Sequence, residues 1–281
     1  MNVRYLLKSW ENWKIWRDKY RKKVLPHILR KRGVYIVDEE WDNLIILDAC
    51  RYDMFKRYNN IKGKLEFRIS RGSCTPEFLL ENFDKHPNRK KFKDIVYVSA
   101  NPFVSKLLPN KFYKIYPTWD YGWDHELNTV PPENVVKDSL RAHKENPHKR
   151  LIIHFVQPHY PFLTVKLIGT GFRRLRKSVL ENKNGLYDVN PWFLVERGQI
   201  PIRIMVKGYV ENLKIVLRSV KSLINQLSGK TVITSDHGEL FGERPHILYP
   251  FKAYEHPPRF YVKSLVKVPW LIINEKAKSK T

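Results

Sequence analysis

A chain of 281 residues with 42% hydrophobic and 13% aromatic side chains holds enough apolar matter for a large α/β core, which excludes an intrinsically disordered polymer. Its two cysteines, Cys50 and Cys74, exclude a disulfide scaffold, and a formal net charge of +24 selects anionic partners: nucleic acid, acidic lipid or phosphorylated substrates. No zinc-finger spacing, aromatic RNA-binding motif or helix-turn-helix pattern accompanies the charge, which argues against nucleic acid.

Residues 1–35 form a basic, tryptophan-rich extension predicted to be helical. Trp10, Trp13 and Trp16 recur every three residues, and Tyr20 and Val24 continue that helical face, whereas Lys14, Arg17, Arg21 and Lys22 fall largely on others. One reading is an interfacial helix on anionic lipid. The other is a helix packed on the domain with a basic solvent face. The stretch lacks the apolar core of a signal peptide, and no window reaches the ~18 apolar residues of a membrane span. Together with the reducing compartment that two cysteines suggest, this predicts a cytoplasmic protein, at most peripheral to a membrane.

Residues 36–281 read as one domain. Short apolar runs at 43–49 (NLIILDA), 94–100 (DIVYVSA), 151–156 (LIIHFV), 231–234 (TVIT) and 268–273 (VPWLII) have the character of strands covered on both faces. Between the last two strands but one, residues 206–227 space their apolar side chains by three and four, and Ser228-Gly229-Lys230 stops that helix. Alternating strands and helices predict a three-layer α/β/α sandwich with a mostly parallel central sheet, in which ligands bind beyond the carboxyl ends of the strands. Residues 163–200 look irregular, with a basic cluster at Arg173, Arg174, Arg176 and Lys177, and are predicted to form an insertion or cap over the sheet edge.

Chemistry gathers at those carboxyl ends. The run at 43–49 delivers Asp48, the run at 151–156 delivers His154 and leads to His159, and TVIT leads into Ser235-Asp236-His237, where Gly238 lets the chain turn sharply. A single buried histidine is more often a satisfied core residue than a ligand; three strands bringing Asp or His to one rim are harder to explain that way. Mixed Asp and His donors suit zinc, manganese or iron better than calcium, which prefers oxygen alone. Two further segments can complete such a site. In SRGSCTPEFLLENF, residues 70–83, the side chains of Ser73, Cys74 and Thr75 precede Pro76 and a helical pattern. They are either a helix cap or a nucleophile placed to attack phosphate or sulfate. In YEHPPR, residues 254–259, His256 is a candidate last ligand held in an extended loop by Pro257 and Pro258.

The order DACRYD, GSCTPE, HFVQPHYPF, SDHGELFGE, a late histidine and VPWLII resembles the alkaline phosphatase superfamily in its sulfatase-like branch, over about residues 41–274. The resemblance implies a bound divalent metal and a covalent enzyme intermediate. It implies Asp48, Asp236, His237 and His256 as metal ligands, His159 as the substrate-side histidine, and Arg51 close to the nucleophile or substrate. Two departures bear on the chemistry. Sulfatases usually carry two adjacent Asp at the first strand end, but Ala49 follows Asp48, which removes one hard oxygen ligand and disfavours calcium relative to zinc or manganese. Sulfatases also convert a Cys in a CxPSR-like element to formylglycine, and here Glu77 and Phe78 replace the Ser and Arg. Thr75, the type of nucleophile used by related phosphotransferases, therefore ranks just ahead of Cys74, with Ser73 behind. The expected function is a metal-dependent hydrolase or transferase of phosphate or sulfate esters acting on an anionic small-molecule, glycan or lipid-linked substrate. The alternatives are a true formylglycine sulfatase and a silent member of the fold that binds polyanions or a partner.

Overall fold

The computed structural model describes residues 15–29, 33–167, 173–181 and 191–274. A seven-stranded sheet runs through them. Its strands are β1 (Asn43–Leu47), β2 (Lys64–Ile69), β3 (Ile95–Ser99), β4 (Lys114–Tyr116), β5 (Arg150–Phe155), β6 (Thr231–Thr234) and β9 (Lys267–Ile273). The spatial order is β2-β9-β6-β1-β5-β3-β4. The five strands from β6 to β4 are parallel; β9 is antiparallel to β6, and β2 antiparallel to β9. A separate two-stranded pair joins β7 (Leu240–Phe241) to β8 (Tyr254–Glu255).

Side chains alternate across a strand, so one apolar run feeds two cores. From β1, Ile45 and Leu47 join Val96, Val98, Ile153 and Ile233 on one face, under Val216, Leu217 and Val220 of the helix Ile202–Ile224 and Val135 of the helix Pro132–Glu145. Leu44 and Ile46 point the other way, to Tyr97, Ile152 and Val232, and are covered by Phe78, Leu79 and Phe83. These are the three layers expected from the sequence. The long helix begins and ends a few residues before the predicted span. It starts after Pro201, which fixes an extended residue at its N-cap, and its C-cap is Asn225 rather than the glycine at 229.

The sequence reading passed over β2 and β4, and both lie away from the sheet centre, β2 and β4 being its two edges. Every residue of β2 (KLEFRI) remains at least partly exposed, so its apolar content is diluted by Lys64, Glu66 and Arg68. Within 163–200 the described residues contain two helices, Arg173–Leu180 and Pro191–Glu196. Trp192 and Val195 of the second pack on Phe162, Met205 and Tyr209, and Arg176 of the first donates to the carbonyls of Trp119 and Asp120. Of the N-terminal extension, residues 15–23 are helical and a short helix follows at Leu25–Leu29. Trp10 and Trp13 lie outside the described residues. Leu25 is buried among Tyr249, Phe260 and Leu265, and Arg17 pairs with Glu196 at 3.0 Å.

Strand register sets up the site. Ile46 is level with Thr234 across β1 and β6, and with His154 across β1 and β5. Two residues beyond Ile46 and Thr234 come Asp48 and Asp236, side by side at the carboxyl rim. The chain then turns through Gly238, whose N–H donates to Leu265 O at 2.7 Å, and a Cβ there would stand 2.0 Å from Ser264 O. Gly238→Ala is expected to lower the unfolding free energy by about 3 kcal/mol, the upper end for overpacking; a urea midpoint equal to that of the parent would refute the fit.

Candidate functional site

Asp236 is the hub of the rim. Its Oδ1 accepts the backbone N–H of Ala49 at 3.0 Å and of His237 at 2.9 Å, and its Oδ2 accepts the Thr75 hydroxyl at 2.7 Å. Thr75 Oγ1 also lies 3.2 Å from His237 Nε2 and 3.5 Å from both oxygens of Asp48. His237 Nδ1 is 2.8 Å from Gly238 O. A carbonyl only accepts, so Nδ1 carries the proton and Nε2 turns a lone pair toward Thr75 and the carboxylates, an anchoring pattern common to metal-ligating histidines. Ser235 Oγ, within reach of Leu47 O, Cys50 N and His237 O, clamps the two strand ends together.

Position 49 contributes through its backbone. Ala49 sits at φ 60°, a left-handed conformation that strains a residue with a Cβ, and it is held there at both ends: its N–H by Asp236 and its carbonyl by the Tyr209 hydroxyl at 2.8 Å. Where the sequence resemblance led one to expect a second carboxylate, position 49 contributes an amide donor.

The electrostatics ask for a cation. Asp48 and Asp236 are both buried. Burial and the neighbouring Asp236 push the Asp48 pKa well above the carboxylate range, against the hydrogen bond from Asn101 Nδ2 at 2.7 Å. Burial works against the Asp236 carboxylate as well, but His237, His154 and the hydrogen bonds from Thr75 and Ala49 outweigh it and hold its pKa down. His154 is fully buried, which lowers its pKa to about 4 and keeps it neutral. Its Nε2 has no hydrogen-bond partner among the described residues and lies 3.9 Å from Asp48 and 4.0 Å from Asp236, while Nδ1 meets the Tyr97 hydroxyl at 3.0 Å. Two buried carboxylates, a lone pair from His237 and an unpartnered imidazole nitrogen fit a divalent cation, and one ligating atom each from Asp48, Asp236 and His237 lie within 4.8 Å of one another.

The structure places the predicted residues in two groups. Asp48, Asp236 and His237 form the first, with Thr75 against it. His256 and His159 belong to a second cluster with Glu239, again with ligating atoms within 4.8 Å of one another. The two adjoin, because the rings of His237 and His256 are 4.5 Å apart between centres. Pairing of β7 with β8 puts Leu240 beside Glu255, and so brings His256 Nδ1 to 3.1 Å from Glu239 Oε1. Burial raises the Glu239 pKa to about 8 and lowers that of His159 to about 3. The His159 Nδ1 is anchored on Tyr160 O.

Arg51, expected near the nucleophile or substrate, spends its guanidinium on Asp53, on Glu243 and on the carbonyl of Glu239. It fastens the loop after β6 and is not among the groups within hydrogen-bonding distance of Thr75. Ser73 is likewise engaged, between Glu77 Oε2 at 2.9 Å and Pro257 O at 3.0 Å. Cys74 is the N-cap residue of the helix Thr75–Leu79 and makes no side-chain cap bond. The Thr75 hydroxyl therefore caps nothing and is free for Asp236. Asn101 and Glu239 received no role in the sequence reading, and His154 was placed at the rim but not named as a ligand. Asn101 had a signal, since it follows the end of an apolar strand as Asp48 does; the other two stood inside quoted motifs.

No protein-family profile matches the chain, and no curated protein matches it. Solved structures match its fold. The integral membrane lipooligosaccharide phosphoethanolamine transferase A from Neisseria meningitidis superposes with a TM-score of 0.53 at 13% identity, over 85% of this chain and 48% of that one. This chain thus spans about half the length of the Neisseria protein. The C-terminal periplasmic domain of phosphoethanolamine transferase EptC from Campylobacter jejuni superposes with a TM-score of 0.50 at 14% identity, over 84% of this chain and 79% of that one. A protein of the alkaline phosphatase superfamily from Vibrio parahaemolyticus aligns over 92% of this chain, at 11% identity and a TM-score of 0.42. The sandwich implied by the resemblance to that superfamily is the fold found.

The cytoplasmic placement is corrected by these neighbours, because the Campylobacter domain with this fold is periplasmic. The expectation had rested on few cysteines and on missing apolar segments, and neither fixes a compartment. Among the described residues no helix is long and apolar enough to cross a membrane.

Burial, with Glu77 next, pushes the Cys74 thiol up to about 12, and burial does the same to Cys50. At neutral pH Cys74 then holds about a thousandfold less thiolate than an ordinary cysteine. A disulfide reagent is expected to leave both thiols untouched in the folded protein and to label both in denaturant; rapid labelling of folded Cys74 would contradict this burial.

Proposed function

We propose that the protein is a metal-dependent transferase or hydrolase of phosphate esters in which Thr75 carries the transferred group. The observation that carries this reading is the position of the Thr75 hydroxyl, 2.7 Å from Asp236 Oδ2 and 3.2 Å from His237 Nε2 inside a buried cluster of metal-ligand side chains. The fold shared with phosphoethanolamine transferase domains supports it, as does the charge of +24, which draws in anionic substrates.

Asp48, Asp236 and His237 would hold one divalent cation, and His159, Glu239 and His256 could hold another. Their nitrogen and oxygen donors suit zinc or manganese better than calcium. A cation so held supplies charge stabilisation to the attacking oxygen and the transferring group. Asp236 Oδ2 accepts the Thr75 proton as Oγ1 bonds to phosphorus and the bond from phosphorus to the leaving ester oxygen breaks, that oxygen taking a proton from solvent, while the alcohol or water that attacks in the second half gives one up to solvent. The backbone amides of Ala49 and His237 keep Asp236 oriented for that transfer. In the second half, an alcohol or water attacks the same phosphorus and Thr75 leaves with its proton restored. The acceptor decides between transferase and hydrolase. An anionic lipid-linked substrate fits both the charge and the activity of the Neisseria neighbour, a lipooligosaccharide phosphoethanolamine transferase. Cys74 is the weaker nucleophile, because its thiol stays protonated.

Thr75→Ala is expected to cut turnover of a phosphodiester by at least about 10³-fold, whereas Cys74→Ser should retain most of it. Trapping on the parent protein should give an adduct that maps to Thr75 by mass spectrometry. An adduct on Cys74, or full activity in Thr75→Ala, would move the nucleophile. Asp236→Asn and His237→Ala are expected to lose bound divalent metal on elemental analysis while keeping their far-ultraviolet circular dichroism; undiminished metal in both would refute the ligand assignment.

A further inference from the structure

The N-terminal segment has two unlike faces. Its inner face is committed to the domain: Leu25 and Arg21 are buried, and Tyr20 packs with Tyr249 and Phe260. Its outer face is apolar and open. Trp16 is 60% exposed and stacks on Tyr20 with ring centres 6.0 Å apart, and Val24 and Ile28 are exposed beyond it. A second segment, distant in sequence, adjoins this face. The Tyr20 hydroxyl donates to Leu248 O at 3.1 Å, and next to it Ile247 stands 88% exposed, with Leu248 itself open to solvent. Large aliphatic and indole side chains held outward on two packed segments are unusual on a surface with this charge, and they cluster.

What surrounds the apolar residues identifies the occupant. Lys19, Lys22 and Lys23 are all exposed on the helical segment, and Arg244 and Lys252 are exposed on the loop that carries Ile247. Residues 244–253 contain no acid, and the one acid of residues 15–29, Asp18, is half-buried 3.9 Å from Arg17. A second copy of the chain would bring the same cations together, so self-association through this face is opposed by charge. An anionic bilayer supplies both complements: acyl chains for the apolar residues and phosphate headgroups for the lysines. Tryptophan also favours the boundary between the two.

We propose that this face docks the protein on an anionic phospholipid bilayer, with Trp16, Ile247 and Leu248 entering the interface and Lys19, Lys22 and Lys23 meeting the headgroups. Each lysine near such a surface raises partitioning about fivefold, so the three together are decisive at low salt. The contact is distinct from the catalytic cluster and goes beyond the proposed reaction.

The test is co-sedimentation of the full chain with vesicles of phosphatidylcholine alone and with phosphatidylglycerol added. Binding is expected only with phosphatidylglycerol, and should fall away in about 1 M salt, where screening acts within ~3 Å. Ile247→Asp and the double change Lys19→Glu, Lys22→Glu should each weaken it at least tenfold. All three positions are exposed, and unchanged melting curves will show that the variants fold. Turnover of a water-soluble phosphate ester should be the same in Ile247→Asp as in the parent, so loss of docking is read separately from loss of the reaction. No binding to phosphatidylglycerol vesicles, or parental binding by Ile247→Asp, overturns the proposal. So does a dimer seen by light scattering that Ile247→Asp dissolves, which would give the face to a second copy.

Discussion

One carboxylate ties the rim of this protein together. Asp236 accepts from Ala49 after β1, from His237 after β6 and from Thr75 at the start of a helix. Two chain segments distant in sequence, at Ala49 and Thr75, meet on its two oxygens beside its own neighbour His237. The cost of burying that charge is offset by these donors. Everything proposed for the chemistry depends on it, because the same hydrogen bonds that bury the carboxylate also aim the threonine.

Much of this was legible because the parallel strands are short, apolar and bounded. NLIIL and TVIT admit a single reading as covered strands, and once they are neighbours in register Asp48 and Asp236 must come together. The fate of His256 was not legible. Its neighbourhood is set by the two-residue pairing of β7 and β8, which has no periodic signal; it lies beside His237, as expected, and in addition meets Glu239 and His159, which the sequence did not indicate. The partners of Arg51 were not legible for a related reason. Its place after Asp48 suggested chemistry, but the acids that claim it, Asp53 and Glu243, come from a helix start and a distant loop. The choice among Ser73, Cys74 and Thr75 could not be made from adjacency at all. Of these three successive side chains the Thr75 hydroxyl faces Asp236 at the rim, while Ser73 is pinned to Glu77 and Pro257 on the other side, and the proposal of Thr75 as nucleophile rests on that difference.

In the N-terminal extension the described residues pack on the domain, and the interfacial reading is the docking proposed above. A packed helix and an interfacial helix were set against each other, and residues 15–29 bury one face while opening the other. Burial of Leu25 and Arg21 fixes the orientation of the segment, and a fixed orientation is what lets Trp16 and Ile247 present a common surface.

The left-handed turn at Ala49 alters the charge of the whole site. A rim with a second acid at that position would need more than one dication to reach electroneutrality. Two carboxylates and a neutral imidazole reach it with one. In the reaction proposed above, a rim holding one dication would then carry no surplus negative charge, and an anionic ester would approach Thr75 without being repelled by Asp48 and Asp236.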